Sequence, residues 1–335
     1  MTAKRVRIVD IAEELGLSTA TVSNVIHGKT KKISDETVRR VQALLEERQY
    51  IPSMAGLLLA QNDSRIIGVV INDHEKYEGH VLEDGFISSA LNHLSQELEK
   101  AGYFMMVKAT KEWNEIARFA SMWNMEGLVI MGFCEQDYQK LRDSMRIPFV
   151  VYDGVFRTQG QYANILIDNF DGGAQVGTYL RERGHKKVLC ISDNDTYLDL
   201  ERYNGLRQGM GAYDAELLLV PMEREERQQF YRDKFSYIRS FDAVFAVSDY
   251  YALDLMSFLQ SQGMRVPEDI SIVGFDDNPL CRQVYPALTT VCQDRKRRAA
   301  EAVRILGELK SGACQEKEVM LPVELVIRSS VCDKS

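Results

Sequence analysis

Apolar side chains recur along this 335-residue chain with two different spacings. Over the first fifty residues they return every three to four positions: Ile8, Ile11, Ala12 and Leu15, then Val22 with Val25 or Ile26, then Val38, Val41, Leu44 and Leu45. That period predicts three short amphipathic helices: Ile8–Leu15, Thr19–Ile26, and a third opening at ISDET and running to about Arg48. Gly16 ends the first because glycine takes the left-handed conformation of a tight turn. Ser18 and Ser34 are placed to cap the second and third. From Arg65 onward the pattern changes to short continuous apolar runs: IIGVVI, FMMV, GLVIM, PFVVY, ILI, KVLCIS, LLLV, AVFAV, ISIVGF and VELVI. Amphipathic stretches lie between them, including 86–101, 170–183, 250–262 and 294–310. Alternating strands and helices imply parallel sheets flanked by helices. Two such sets, before and after about residue 163, predict two similar lobes, with a ligand cleft beyond the carboxyl ends of the strands.

Helix, glycine-containing turn, then a short helix rich in small polar residues is the geometry of a helix-turn-helix. The outward face of the second helix carries Thr19, Ala20, Ser23 and Asn24. These side chains are small enough to approach a major groove and can hydrogen-bond base edges. The alternative is a small helical cap with a solvated polar face. Charge bears on the choice. The net charge of −8 argues against a nucleic-acid binder, but residues 1–60 hold nine of the 41 basic and only seven of the 49 acidic side chains. A mildly basic head on an acidic body fits a small DNA-reading module attached to something else.

At this length two or three domains are expected, and a 45 % hydrophobic content suffices for their cores. No apolar stretch approaches a membrane span, and MTAKRVRIVDIAEEL lacks the apolar run of a signal peptide, so a cytoplasmic location is expected. Six scattered cysteines (Cys134, Cys190, Cys281, Cys292, Cys314, Cys332) show no metal-ligand spacing. They are read as reduced, mostly buried thiols, with redox sensing as the alternative. No metal or cofactor is expected. Catalysis finds little support: GMGA at 209–212 weakly resembles a phosphate loop but lies in a helical pattern and lacks a nearby Lys-Ser/Thr.

VDIAEELGLSTATVSNVIHG followed by ISDETVRRVQALLEERQYIP resembles the headpiece of the LacI/GalR family of bacterial transcriptional regulators. IDNFDGGAQVGTYLRERGHKKVLCI, RYNGLRQGM and VPEDISIVGFDDNPLCRQVYPALTTV resemble its effector domain, itself similar to periplasmic sugar-binding proteins. The resemblance implies an all-α helix-turn-helix headpiece over residues 1–51, a hinge over 52–64, and an α/β effector core over 65–335. That core would have two Rossmann-like lobes of the periplasmic binding protein type I kind. The lobes would comprise about 65–162 with 293–322, and about 163–292 with 323–335, because the chain would cross near 162, 292 and 322.

By position, the resemblance implies that Thr19, Ala20 and Asn24 read bases, that Thr21 and Ser23 meet phosphate or groove wall, and that Lys29, Lys31 and Lys32 supply positive charge near the backbone. The loop HGKTKK is a residue longer than in similar members. Leu59 falls at the hinge position whose leucine wedges into the minor groove and bends the duplex. A floppy linker whose leucines pack on a neighbouring subunit is the alternative. Gly56 stands where alanine is common, which costs a helix about 0.5–1 kcal/mol, and Leu57 stands where arginine is common.

In the effector domain the resemblance places Asp73, Phe86, Asp153, Arg202, Ser248, Asp249 and Asp276 around the cleft. A guanidinium fork, carboxylates and an aromatic face suit a sugar. For Asp73 and Asp277 a loop-capping role is the preferred reading. Ser248 replaces an asparagine common in sugar-responsive members, and Gly154 stands where purine-binding members have tryptophan. The long loop NDHEKYEGHVLEDG over 72–85 is a possible lid, although its charges are read as solvated. The implied protein is a homodimer, with tetramers open, that represses a carbohydrate operon by binding a pseudo-palindromic operator under control of a small-molecule effector. A regulator whose cleft is a dimer scaffold or a protein-docking surface is the runner-up.

Overall fold

The computed structural model describes residues 6–51, 64–132, 145–154 and 162–334. Leu59, Gly56, Leu57 and Cys134, singled out above, lie outside the described residues. The chain divides into two compact units, Met1–Ser64 and Arg65–Ser335.

The first unit holds α1 (Ile8–Leu15), α2 (Thr19–Ile26) and α3 (Asp35–Glu47). Gly16 closes α1 at φ 66°, ψ 32°, the left-handed turn expected of it. Ser18 Oγ accepts from the Thr21 amide at 3.1 Å and Ser34 Oγ from the Thr37 amide at 3.3 Å, so both serines satisfy amides that a helix start leaves unpaired. Ile11, Ala12, Val22, Val25, Val41 and Leu44 form the core, which settles the choice at the end of α2 in favour of Val25. Arg48 ties the end of α3 to Glu14 of α1 at 2.6 Å.

The second unit is built on two six-stranded sheets. The first has the order β11-β5-β4-β3-β1-β2 and the second β12-β10-β9-β8-β6-β7. In chain order the elements are β1 (Ile66–Asn72), α4 (Gly85–Lys100), β2 (Phe104–Thr110), α5 (Trp113–Met122), β3 (Gly127–Met131), β4 (Phe149–Tyr152), β5 (Tyr162–Ile167), α6 (Asn169–Glu182), β6 (Lys187–Ser192), α7 (Tyr197–Met210) and β7 (Asp214–Leu219). There follow α8 (Arg224–Ile238), β8 (Ala243–Ala246), α9 (Asp249–Ser261), β9 (Ser271–Asp276), β10 (Thr289–Gln293), α10 (Arg295–Ser311), β11 (Glu318–Leu321) and β12 (Val323–Val326). Strands β3, β4, β8 and β9 are buried at every position, as parallel strands covered on both faces must be. That is why they read as continuous apolar runs. Among the described residues pairing is parallel except between β10 and β12.

Two strands carry no clear apolar signal. Thr289 and Thr290 of β10 are buried because their polar groups find partners inside, and β11 is an edge strand with exposed positions. The expected boundary at 163 needs correction. Strand β5 pairs with β4 and β11, so it belongs to the first sheet and the chain crosses after Ile167. The other crossings follow β10 and separate β11 from β12. Among the described residues no helix is long and apolar enough to cross a membrane, and the described cysteines are free.

Glycines decide how α6 and α7 meet. A methyl on Gly173 would overlap the Arg202 carbonyl, and one on Gly205 the Phe170 carbonyl; Gly177 and Gly209 are similarly tight against Leu206 and Ala174. The two helices therefore touch backbone to backbone, which seats Arg202 beside the cleft. The glycine of GMGA at 209 serves this packing and not a phosphate loop. Because backbone cannot step aside as a side chain can, Gly205→Ala is expected to destabilise the second unit by about 1–3 kcal/mol or more, read as a lower urea midpoint at unchanged slope.

Candidate functional site

On the first unit, the exposed side of α2 presents Thr19, Ala20 and Asn24, with Ser23 and Thr21 half-buried at its margin. Thr21 Oγ1 shares a hydrogen bond of 2.9 Å with Ser18, so its hydroxyl is part of the helix cap. Lys29, Lys31 and Lys32 are exposed on the following loop. The face combines small polar side chains on a helix with three lysines exposed on the loop that follows it.

The second unit contains a cleft of about 490 Å3 at the carboxyl ends of both sheets. Part of the wall comes from strand ends, for a reason the fold supplies: parallel strands all point the same way, so their carboxyl ends and following loops converge. The first sheet contributes Met131, Tyr152 and Asp153, and the second Ser248, Asp276 and Gln293.

Of the residues proposed from sequence, Phe86, Asp153, Arg202, Ser248 and Asp276 line this cleft together. Arg202 is buried, stacks on the Phe275 ring at 3.8 Å, and donates to Asn169 Oδ1 at 2.8 Å and to the Val247 carbonyl at 2.5 Å. Asp276 accepts from Gln293 Nε2 at 2.6 Å. Its φ of 123° is a backbone conformation that L side chains rarely adopt, of the kind held where the surroundings over-determine it. Asp153 pairs with Arg298 at 2.7 Å. The Ser248 hydroxyl is buried without a partner among the described residues.

Two residues do not join them. Asp249 is turned beneath the cleft, where its carboxylate accepts from the Thr290 hydroxyl at 2.5 Å, the Asn278 amide at 2.6 Å and the Cys281 thiol at 3.0 Å. Three donors from the loop and strand below hold this one carboxylate away from the cleft. Asp73 lies outside the lining and the next residue, His74, faces the cleft instead. Asp277 pairs with Arg282 at 3.1 Å and with Arg328, as a loop-fastening acid does.

Sequence reasoning missed much of the wall: Lys76, Tyr77, Asp84, Asp199, Tyr250 and Arg298. Asp199 had a signal, since it lies three residues before Arg202 on one helix face and 4.0 Å from it. Lys76 had none. The charges of the 72–85 loop were expected to be solvated, but Lys76 faces the cleft. Burial works against its charge, yet Tyr77, Asp193, Asp199 and Asp84 together hold its pKa above the ordinary value.

Burial raises the carboxyls of Asp276, Asp199 and Asp84 above the usual range, and neighbouring acids add to the rise for the first two. Asp193 is depressed: burial opposes this, but Lys76, Tyr251 and Asn194 outweigh it. Among the described residues no group of three or more acids, histidines or cysteines is arranged to hold a metal.

Comparison with known proteins follows this division of the chain. Residues 7–53 match the model for bacterial regulatory proteins of the lacI family, and residues 178–331 match a periplasmic binding protein-like domain. The HTH-type transcriptional repressor PurR of Vibrio vulnificus (strain CMCP6) is 30 % identical over 341 residues, covering 97 % of this chain and 98 % of that protein. PurR of Vibrio atlanticus (strain LGP32) is 29 % identical over 353 residues, with the same coverage. Among solved structures, the lac repressor dimer bound to operator and the anti-inducer ONPF aligns with a TM-score of 0.82 at 23 % identity, covering 98 % of this chain and 100 % of that one. A complex of the transcriptional regulator CelR with cellobiose aligns with a TM-score of 0.69 at 22 % identity, covering 97 % and 100 %.

The raised Asp276 carboxyl has a measurable consequence. A folded-state pKa above the unfolded one means that the native state binds more protons. Its stabilising contribution is therefore full below about pH 4 and lost as the pH rises through the raised value. His74 and His185, depressed chiefly by burial, act in the opposite sense: the penalty they impose at low pH disappears as the pH rises to about 6.5. The difference between wild type and Asp276→Asn isolates the carboxyl: unfolding midpoints followed from about pH 5 to about pH 9 should show the variant gaining on wild type as pH rises.

Proposed function

This chain belongs to the LacI family of bacterial transcriptional regulators, and from that premise we propose a repressor that binds a pseudo-palindromic operator as a homodimer and responds to a hydroxyl-rich small molecule in its cleft. Each headpiece would lay α2 in a major groove, with half-sites about 34–36 Å or a multiple apart. Thr19, Ala20 and Asn24 would face bases, with Thr21, Ser23, Lys29 and Lys32 toward the phosphates. Leu59, which lies outside the described residues, is proposed from its position in the sequence as the minor-groove wedge.

The observation that carries the ligand reading is the make-up of the wall. Carboxylates (Asp84, Asp153, Asp199, Asp276) alternate with guanidinium groups (Arg202, Arg298) and with the rings of Phe86, Tyr152, Tyr197 and Tyr250. Adjacent sugar hydroxyls donate to carboxylates and accept from guanidinium, while the apolar ring face packs on an aromatic. Buried groups await such partners: the Ser248 and Tyr152 hydroxyls and Asp153 Oδ1 have none among the described residues. A phosphate is disfavoured, because acids outnumber cations in the wall and both guanidinium groups are already engaged. A purine base is a second reading, supported by the ring content; Gly154, bonded through its amide to Asn164 at 2.9 Å, offers no ring of its own.

Calorimetry against neutral sugars, sugar phosphates and purine bases separates these readings. A ligand at 100 times its Kd should add about 2.7 kcal/mol of stability. Arg202→Ala and Asp276→Ala are each expected to weaken the true ligand by about 2–5 kcal/mol while leaving operator binding intact. Wild-type affinity in both variants would move the site elsewhere.

On the DNA side, Asn24→Ala should cost about 1–3 kcal/mol at the cognate site and relax one base position per half-site. Lys32→Ala should instead weaken all sequences alike and flatten the salt slope. An unchanged motif for Asn24→Ala in a binding-site selection would exclude the proposed docking of α2.

A further inference from the structure

The loop between β1 and α4 does not hang free. It leaves the first sheet, forms short 3-10 turns at Glu75–Tyr77 and Val81–Glu83, and buries Val81 in the core. Between these anchors it reaches residues of the second lobe. The Tyr250 hydroxyl donates to the Lys76 carbonyl at 3.0 Å, and the Arg224 amide donates to Glu78 Oε1 at 2.7 Å. The Tyr77 and Tyr250 rings meet edge to face at 6.3 Å, and the Lys76 ammonium stands 5.8 Å from the Tyr251 ring.

The receiving side is rigidly built. Arg227 is fully buried, bonded to Asp254 at 2.7 Å and to the Pro221 carbonyl at 3.1 Å, and it donates to the Tyr250 hydroxyl at 3.2 Å. Tyr251 is held by Asp193, which accepts its hydroxyl at 2.6 Å. A tyrosine fixed from behind by a buried guanidinium, and offering its proton forward to a backbone carbonyl, is a socket.

We propose that residues 73–84 form a latch by which the chain closes its own cleft, with Lys76 carried into the cleft on that loop as a built-in cation facing the second lobe. In a two-lobed cleft a ligand favours closure by making contacts with both walls at once. Here the loop makes such contacts itself, through the Lys76 carbonyl and the Tyr77 ring on Tyr250, the Glu78 carboxylate on the Arg224 amide, and the Lys76 ammonium facing the Tyr251 ring. Ligand then enters a cleft already biased toward closure. Lys76 is a positioning residue for the lobes and for ligand placement.

The test is hydrogen exchange with mass spectrometry on the full-length protein without ligand, comparing wild type with Tyr250→Phe, Glu78→Ala, their combination and Lys76→Met. Peptides over 73–84 should exchange about tenfold or more faster in the combined variant and in Lys76→Met, with peptides over α6 and α7 unchanged. Glu78 is on the surface, so Glu78→Ala tests the latch even if Tyr250→Phe perturbs Arg227 and the fold around it. Unprotected exchange over 73–84 in wild type, or protection unaltered in Glu78→Ala and Lys76→Met, would overturn the latch. The measurement uses no ligand, so its failure leaves the proposed ligand class standing, and failure of the ligand panel leaves the latch standing.

Discussion

The cleft depends on one buried polar chain. Arg298, nearly inaccessible on α10, stacks on Tyr152 at 4.2 Å, pairs with Asp153 at 2.7 Å, donates to the Ile165 carbonyl at 2.9 Å and donates to Gln293 at 3.0 Å. Gln293 in turn donates to Asp276. Asp153 ends a strand of the first sheet, whereas Gln293 and Asp276 end strands of the second, so the chain of contacts passes from lobe to lobe at the base of the cleft. Breaking a buried pair from one side costs about 3–5 kcal/mol, because the remaining charge is stranded. These partners therefore set one another's positions, and with them the spacing of the carboxylates offered to a ligand.

The wall above is acidic in excess, and the protein tolerates this in two ways. Protons stay on buried carboxyls at higher pH than usual, as for Asp276 and Asp199. A cation is also carried in on the 73–84 loop. Both effects reduce the net negative charge of the wall, while its carboxyl oxygens can still accept from hydroxyl donors, so the proposed ligand class and the proposed latch draw on the same electrostatics.

The headpiece obeys a different economy. Among the described residues its small core of six buried side chains is supported by two serine caps and a glycine turn, which leaves the outer face of α2 without structural duties except at Thr21. Side chains with no part in packing are available for contact with something else.

How much of this was legible in the sequence depends on the range of the forces involved. Helix starts at Ser18 and Ser34, the turn at Gly16, the buried strands and the two-lobed alternation are consequences of local periodicity and backbone preference, and the linear pattern by itself determined them. Phe86, Asp153, Arg202, Ser248 and Asp276 were reachable through the resemblance, which carries positions over where the strand–helix alternation is shared; for Asp153, Ser248 and Asp276 the parallel strands also deliver them to one edge. Asp249 obeys the same rule of position, yet three donors more than 25 residues away turned it inward. β5 went to the first sheet because of its partners β4 and β11, not its composition. Lys76 became a wall residue only because Tyr250 and Arg224, more than 140 residues distant, hold its loop across the cleft. Nothing in the period of a charged loop records such contacts; tertiary structure alone decided them, because hydrogen bonds and ion pairs act over a few ångströms of space whatever the separation in sequence.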